Sequence, residues 1–151
     1  VTKLEEAGAD GVTLFNRFYQ PDVDLETLGV DRRLRLSTSQ ELPLRLHALA
    51  VLSPQTALAL ACTGGAHTGQ DVAKALLCGA DVVQVTSALL ERGPAHLRVM
   101  LDALREWLDV TGYVSSDEAR GVLAMGNGGD AHTWERLNYI RLLDGWRVNG
   151  T

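Results

Sequence analysis

The chain has 151 residues, 46% of them hydrophobic, with 14 Lys and Arg against 19 Asp and Glu for a formal charge of −5. This length and apolar share suit one folded domain with a real core and exclude general disorder, while the acidic balance excludes broad nucleic-acid or anionic-membrane binding. No apolar stretch reaches the roughly 18 residues of a membrane span, and Cys62 and Cys78 alone cannot staple a secreted scaffold, so a cytoplasmic setting is expected.

In chain order, Leu4-Glu5-Glu6-Ala7-Gly8 reads as the end of a helix, and Gly8-Ala9-Asp10 turns the chain into a strand over 11–15. A chain that opens inside such a motif is expected to be a piece of something longer. Ser37-Thr38-Ser39-Gln40-Glu41 offers hydroxyl caps to a helix over 42–52, with Pro43 in its first turn and Pro54 helping to end it. Residues 57–61 are the second predicted strand. Gly69 opens a helix through Cys78, where the thiol is expected to be a small buried hydrophobe. Gly79-Ala80-Asp81 then repeats the first turn and leads into a third strand over 82–85. Gly93-Pro94 begins a helix to about residue 110, with Leu97, Met100, Leu101, Leu104, Trp107 and Leu108 on one face and Trp107 placed in the core. Ser115 and Ser116 cap a short helix ending near Gly121. Gly126 to Asp130 reads as a linker, and residues 131–143 as a helix with Trp134, Leu137 and Ile140 near one face.

Strands this continuously apolar are expected to be buried on both faces, as in a parallel sheet covered by helices. Three strands cannot close a barrel, which takes about eight. The pattern therefore fits either a small open sheet or the C-terminal part of a (β/α)8 TIM barrel, and the opening motif favours the barrel. The domain reading is a partial barrel over 1–123 and a linker with a C-terminal helix over 124–151. Unpaired strand edges predict association, as a homodimer or with the missing N-terminal part of a barrel.

The sharpest chemical feature is Thr63-Gly64-Gly65-Ala66-His67-Thr68-Gly69, directly after the second strand. Paired glycines there let the backbone approach a ligand and present N–H groups, a cradle for phosphate oxygens. Thr86-Ser87 supplies hydroxyls after the third strand, and the loops after the last two strands of a barrel form its usual phosphate site. The spacing matches neither the dinucleotide fingerprint nor the nucleotide-triphosphate loop. Asn16, just past the first strand, could donate to and accept from a planar ligand, or simply form a turn. Arg17 reads as solvated or as an anion partner, and His67 as a neighbour of the phosphate loop. Asp71 reads as a first-turn helix stabiliser. Cys62 lacks a basic partner that would make it a nucleophile. The four histidines show no metal-ligand spacing.

The run from Cys62 to Asp71, followed by the run from Ala75 to Leu89 with its Gly79-Ala80-Asp81 turn, resembles the C-terminal FMN-phosphate region of dihydroorotate dehydrogenases. The class 1 branch and its dihydroorotate dehydrogenase-like relatives are the nearest in pattern. The likeness extends from about Leu4 to Leu123, and Gly8 to Arg17 resembles the family's sixth barrel strand and the loop after it. The resemblance implies an FMN-dependent oxidoreductase acting on dihydroorotate or a related small molecule. It assigns FMN-phosphate binding to Gly64, Gly65 and Ala66 through backbone N–H groups and to Thr86 and Ser87, and substrate binding to Asn16. The family's base and its flavin-contacting lysine fall before Val1, so no catalytic residue is assigned and the isolated chain is expected to be inactive. Two departures weigh against dihydroorotate itself: Thr86-Ser87 stands where Gly-Thr is common, and Arg17-Phe18-Tyr19 replaces smaller residues. The competing readings are a phosphate-ligand-binding or isomerase barrel without flavin, and a degenerate non-catalytic protein.

Overall fold

The computed structural model describes residues 1–17 and 20–126. Phe18, Tyr19, most of the predicted linker and the predicted helix over 131–143 lie outside the described residues.

A short helix α1 (Thr2–Glu6) leads through Gly8 into strand β1 (Gly11–Leu14). A hairpin of β2 (Asp22–Asp24) and β3 (Gly29–Asp31) follows, then a 3-10 turn over Ser39–Glu41 and helix α2 (Leu42–Leu52). Strand β4 (Ala59–Thr63), helix α3 (Gly69–Leu77) and strand β5 (Val82–Gln84) complete the sheet. Helices α4 (Ser87–Arg92), α5 (His96–Thr111) and α6 (Ser116–Ala119) close the described part. The main sheet is parallel in the order β1-β4-β5, with Leu14 opposite Cys62 and Thr63 opposite Gln84. This is the α/β architecture of a partial barrel.

The pleat divides the sheet into two unlike faces. Leu14, Leu60, Cys62 and the half-buried Val12 and Val83 form a core with Leu42, Leu49 and Ala50 of α2 and Ala75 of α3. The opposite face carries Gly11, Thr13, Ala59, Val82 and Gln84, all exposed. The expectation of burial on both faces is thus corrected: among the described residues, helices cover one face and leave the other exposed. Alanines at 57, 59 and 61 made the run look uniformly apolar, but a methyl group buries too little surface to require cover.

The second strand also starts two residues later than the sequence suggested, so Thr63 belongs to β4. Its start is set by pairing: Ala59 aligns with Gly11, and the Ala59 N–H donates to the Asp10 carbonyl at 3.0 Å. The hairpin was not anticipated. Val23 pairs with Val30, and the Asp24 carboxylate accepts the Glu26 and Thr27 N–H groups, which bends the four-residue turn. Helix α2 is capped by backbone geometry, since neither Ser37 nor Thr38 makes a side-chain cap bond. Trp107 is half-buried rather than core, and it stacks on Tyr113 with ring centroids 5.7 Å apart at the rim of α5.

Candidate anion site

The C-terminal ends of the three parallel strands converge on a cavity of about 200 Å³. Asn16 and Arg17 reach it from β1, Gly64, Gly65 and Ala66 from β4, and Thr86 and Ser87 from β5. Every site residue named from the sequence therefore lies on one wall or another of the same cavity. A second cavity of about 470 Å³ adjoins it, shares Phe15, Asn16 and Arg17, and extends to Leu44 and Arg45 of α2.

The loop between β4 and α3 is shaped by Asp71. Its carboxylate Oδ2 accepts the His67 N–H at 3.0 Å, the Thr68 N–H at 3.1 Å and the Ser39 hydroxyl at 2.7 Å. The Thr68 hydroxyl in turn accepts the Asp71 N–H at 3.1 Å, a reciprocal capping box. Burial opposes ionisation of this carboxyl, but the hydrogen bonds from Ser39, His67 and Thr68 outweigh it and hold its pKa below the ordinary value. Asp71 thus does more than stabilise a first turn: it ties residues 39, 67 and 68 into one frame.

Gly64 and Gly65 adopt φ of +85° and +90°, which L side chains rarely accept. The direction of their missing Cβ atoms corrects a natural assumption. A Cβ on Gly65 would lie 2.6 Å from the Leu42 nitrogen, and one on Gly64 would lie 3.1 Å from the Arg45 guanidinium. Gly65 is required by the close passage of the α2 backbone, whereas at Gly64 the neighbour is the end of the Arg45 side chain and the positive φ is the stronger constraint. The Gly65 N–H points to the Ser37 hydroxyl at 3.4 Å.

Ser37 and Arg45 are the residues that sequence reasoning missed. Ser37 is buried, with its Oγ 2.9 Å from that of Ser87, and its N–H donates to Ser87 Oγ at 3.2 Å. Arg45 is buried beneath the glycine turn, donating through Nε to the Thr63 carbonyl at 3.3 Å and through Nη1 to the Glu41 carbonyl at 2.8 Å. Glu41 itself is engaged by Arg17 through both oxygens, at 3.0 and 3.1 Å, and stands 4.0 Å from Arg45. Arg17 is therefore not a solvated loop residue. Its hydrogen bond keeps the Glu41 carboxyl below its ordinary pKa. Two guanidinium groups thus share one carboxylate in a partly buried setting, where charge acts strongly. The signal for Arg45 was present as a lone cation inside the apolar run 42–52.

The cysteines are inert by position. Both are buried, and burial pushes each thiol up to about 11. Among the described residues, no helix is long and apolar enough to cross a membrane.

No family model matches the chain. A putative dihydroorotate dehydrogenase A (fumarate) of Aeropyrum pernix is 31% identical over 124 residues, covering 80% of this chain and 40% of that protein. Dihydroorotate dehydrogenase A (fumarate) of Lactococcus lactis is 43% identical over 61 residues, 40% of this chain and 20% of the relative. Among solved structures, DHODH of Eimeria tenella in complex with ferulenol superposes with a TM-score of 0.64 at 24% identity, over 80% of this chain and 33% of that one. The ligand-free form of that protein gives 0.63 at 25% identity. The chain spans between a fifth and two fifths of the length of the relatives and structures named here. In sequence and in fold, the chain is similar to part of the dihydroorotate dehydrogenase barrel.

Proposed function

We propose that this chain supplies the phosphate-binding end of an FMN-dependent oxidoreductase of dihydroorotate dehydrogenase type. The observation that carries the reading is the cavity at the strand ends, lined by the glycine turn, Arg17 and the hydroxyls of Ser37, Thr63, Thr86 and Ser87, beside an adjoining cavity where Arg17 and Arg45 share the Glu41 carboxylate. The donor set fits a phosphate monoester: it is rich in hydrogen-bond donors and carries excess positive charge.

Gly64, Gly65 and Ala66 would hold the FMN phosphate through the backbone, with Thr86 and Ser87 from the end of β5. Ser37 joins them as a hydroxyl lining the same cavity. Arg45 fixes the turn from behind by bonding the Thr63 carbonyl. Arg17, held in place by Glu41, borders both cavities and lies next to the exposed Asn16, which would meet the planar substrate. FMN bound there would accept hydride at its isoalloxazine ring, while the protein supplies orientation and charge. The exposed sheet face and the free edges of β1 and β5 are what further βα units of a barrel, or a second copy, would cover.

The test is a comparison of FMN with riboflavin, which lacks the phosphate, by fluorescence titration against the 151-residue chain. FMN should bind at least about tenfold more tightly, the worth of one charge-assisted hydrogen bond. Equal affinities would place the phosphate elsewhere and overturn the reading. Tight binding of inorganic phosphate with no preference for flavin would favour a phosphate-ligand barrel without FMN.

A further inference from the structure

Behind the anion cavity stands a buried histidine with a carboxylate on one ring nitrogen and a hydroxyl on the other. His67 Nδ1 lies 3.7 Å from Glu91 Oε2 of α4, and its Nε2 lies 3.4 Å from Ser37 Oγ. We propose that His67 is a positioning residue whose protonation turns the Ser37 and Ser87 hydroxyls toward the cavity and so controls anion binding. This rests on the anion reading of the cavity given above.

Counting donors and acceptors gives the mechanism. A hydroxyl has one hydrogen to donate and two acceptor positions. Ser37 Oγ always receives the Gly65 N–H, and Ser87 Oγ always receives the Ser37 N–H. When His67 is neutral, Glu91 favours the tautomer with hydrogen on Nδ1, which leaves Nε2 an acceptor. Ser37 then donates to Nε2, and Ser87 donates to Ser37, filling its second acceptor position. Both hydroxyl hydrogens then have an inward partner available, with which an anion must compete. When His67 is protonated, Nε2 donates to Ser37, which now has both acceptor positions filled. Ser37 must donate to Ser87, whose acceptor positions are then also filled, so the Ser87 hydrogen has only the cavity left. Protonation therefore adds a positive charge behind the wall and turns a hydroxyl donor outward.

Other charged groups frame the ring. Asp71 of α3 accepts the His67 N–H, and with Glu91 it favours the protonated form. His96 of α5 has Nε2 2.9 Å from the His67 carbonyl, with Arg92 of α4 3.5 Å from that same nitrogen; both oppose it. Across the glycine turn, Arg45 and Glu41 form the ion pair already described.

Inorganic sulfate is the suitable probe, because it stays a dianion while histidine titrates. Calorimetry on the full chain at about pH 5.5 and about pH 8 should show sulfate binding about fivefold tighter at the acid end, a coupling of typical size. In His67→Gln, whose amide donates at every pH, the affinity should become independent of pH. In Glu91→Gln, where the exposed partner loses its charge, the transition should move to lower pH. In the unmodified protein at fixed pH, adding sulfate should move the His67 ring signals in NMR toward those of the protonated ring, as linkage requires. A sulfate affinity equal at both pH values overturns the proposal, as does a pH dependence that survives in His67→Gln, and so does failure to bind sulfate at either pH. The FMN preference over riboflavin stands or falls separately, so the loss of one reading is distinguishable from the loss of the other.

Discussion

The two ends of the parallel sheet are both concave and both polar, yet their charges are arranged as opposites. At the end nearest the strand starts, a cavity of about 410 Å³ is lined by Asp10, Ser53, Thr56, Asp81 and Arg120. There one guanidinium, Arg120, is shared between two carboxylates, Asp81 at 3.3 Å and Asp117 at 2.6 Å. At the other end one carboxylate, Glu41, is shared between two guanidiniums. The Asp81 carboxylate also accepts the Leu60 N–H at 2.8 Å, and Glu5 accepts the Thr56 hydroxyl and the Ala57 N–H. The polar groups of the 410 Å³ cavity thus close the fold on itself and leave excess negative charge. At the other end, the two guanidiniums outnumber the one carboxylate they share. The balance of charge, more than volume, distinguishes the two ends.

The largest expected effect comes from breaking the glycine turn at the anion end. Gly65→Val combines a positive φ with a Cβ pressed onto the α2 backbone, and should cost about 3 kcal/mol or more in stability. Chemical denaturation checks this, and any loss of flavin affinity in that variant is then a folding effect. The contrast with the other end sharpens it. Gly79→Ala, at φ +100°, would strike the Ser53 side chain instead of backbone, so adding Ser53→Gly should restore part of the loss. No single change at Leu42 should rescue Gly65→Val.

Next in size is Asp71→Ala, which removes the acceptor that frames the loop and should cost about 2 kcal/mol. Because the folded pKa of Asp71 lies below its ordinary 3.8, its contribution is full above that value. It is lost as pH falls through the lower folded value, where the unfolded chain already holds the proton. The stability difference between Asp71→Ala and the parent, measured by urea unfolding, should therefore shrink in strong acid. A difference that stays constant down to about pH 2 would contradict the frame, since an ordinary carboxylate is protonated there.

Arg45→Met keeps the length of the side chain but removes the charge that Glu41 leaves uncompensated. Sulfate or FMN affinity should fall about tenfold, or about 1.4 kcal/mol, while Leu44→Ala, on an exposed position of the same helix, should change it little. The smallest effect is expected at the opposite end. Arg120→Ala breaks part-exposed pairs and should cost under about 1 kcal/mol with no change in anion affinity. A comparable loss of affinity there would erase the distinction between the two ends.

What the sequence determined by itself was local. The two Gly-Ala-Asp turns announced β1 and β5, the glycine pair announced the loop after β4, and Gly69 with Asp71 announced the start of α3. That Asn16, Gly64, Gly65, Ala66, Thr86 and Ser87 come together was legible because each lies within three residues of a strand end, on the loops that a parallel sheet gathers at one edge. Tertiary structure alone decided the rest. Ser37 comes from the end of the hairpin connection, 28 residues before the Gly65 N–H it receives, and Arg45 from within a helix that reads as core. Nothing in their immediate neighbours shows that packing α2 against β4 buries one guanidinium under the turn and brings a second to the same carboxylate. Nor could period and composition tell an alanine face that is covered from one that is open, because a methyl group buries little on either side. Strand ends and turns are set by contacts a few residues apart, whereas a charge balance is set by which distant residues the packing brings together.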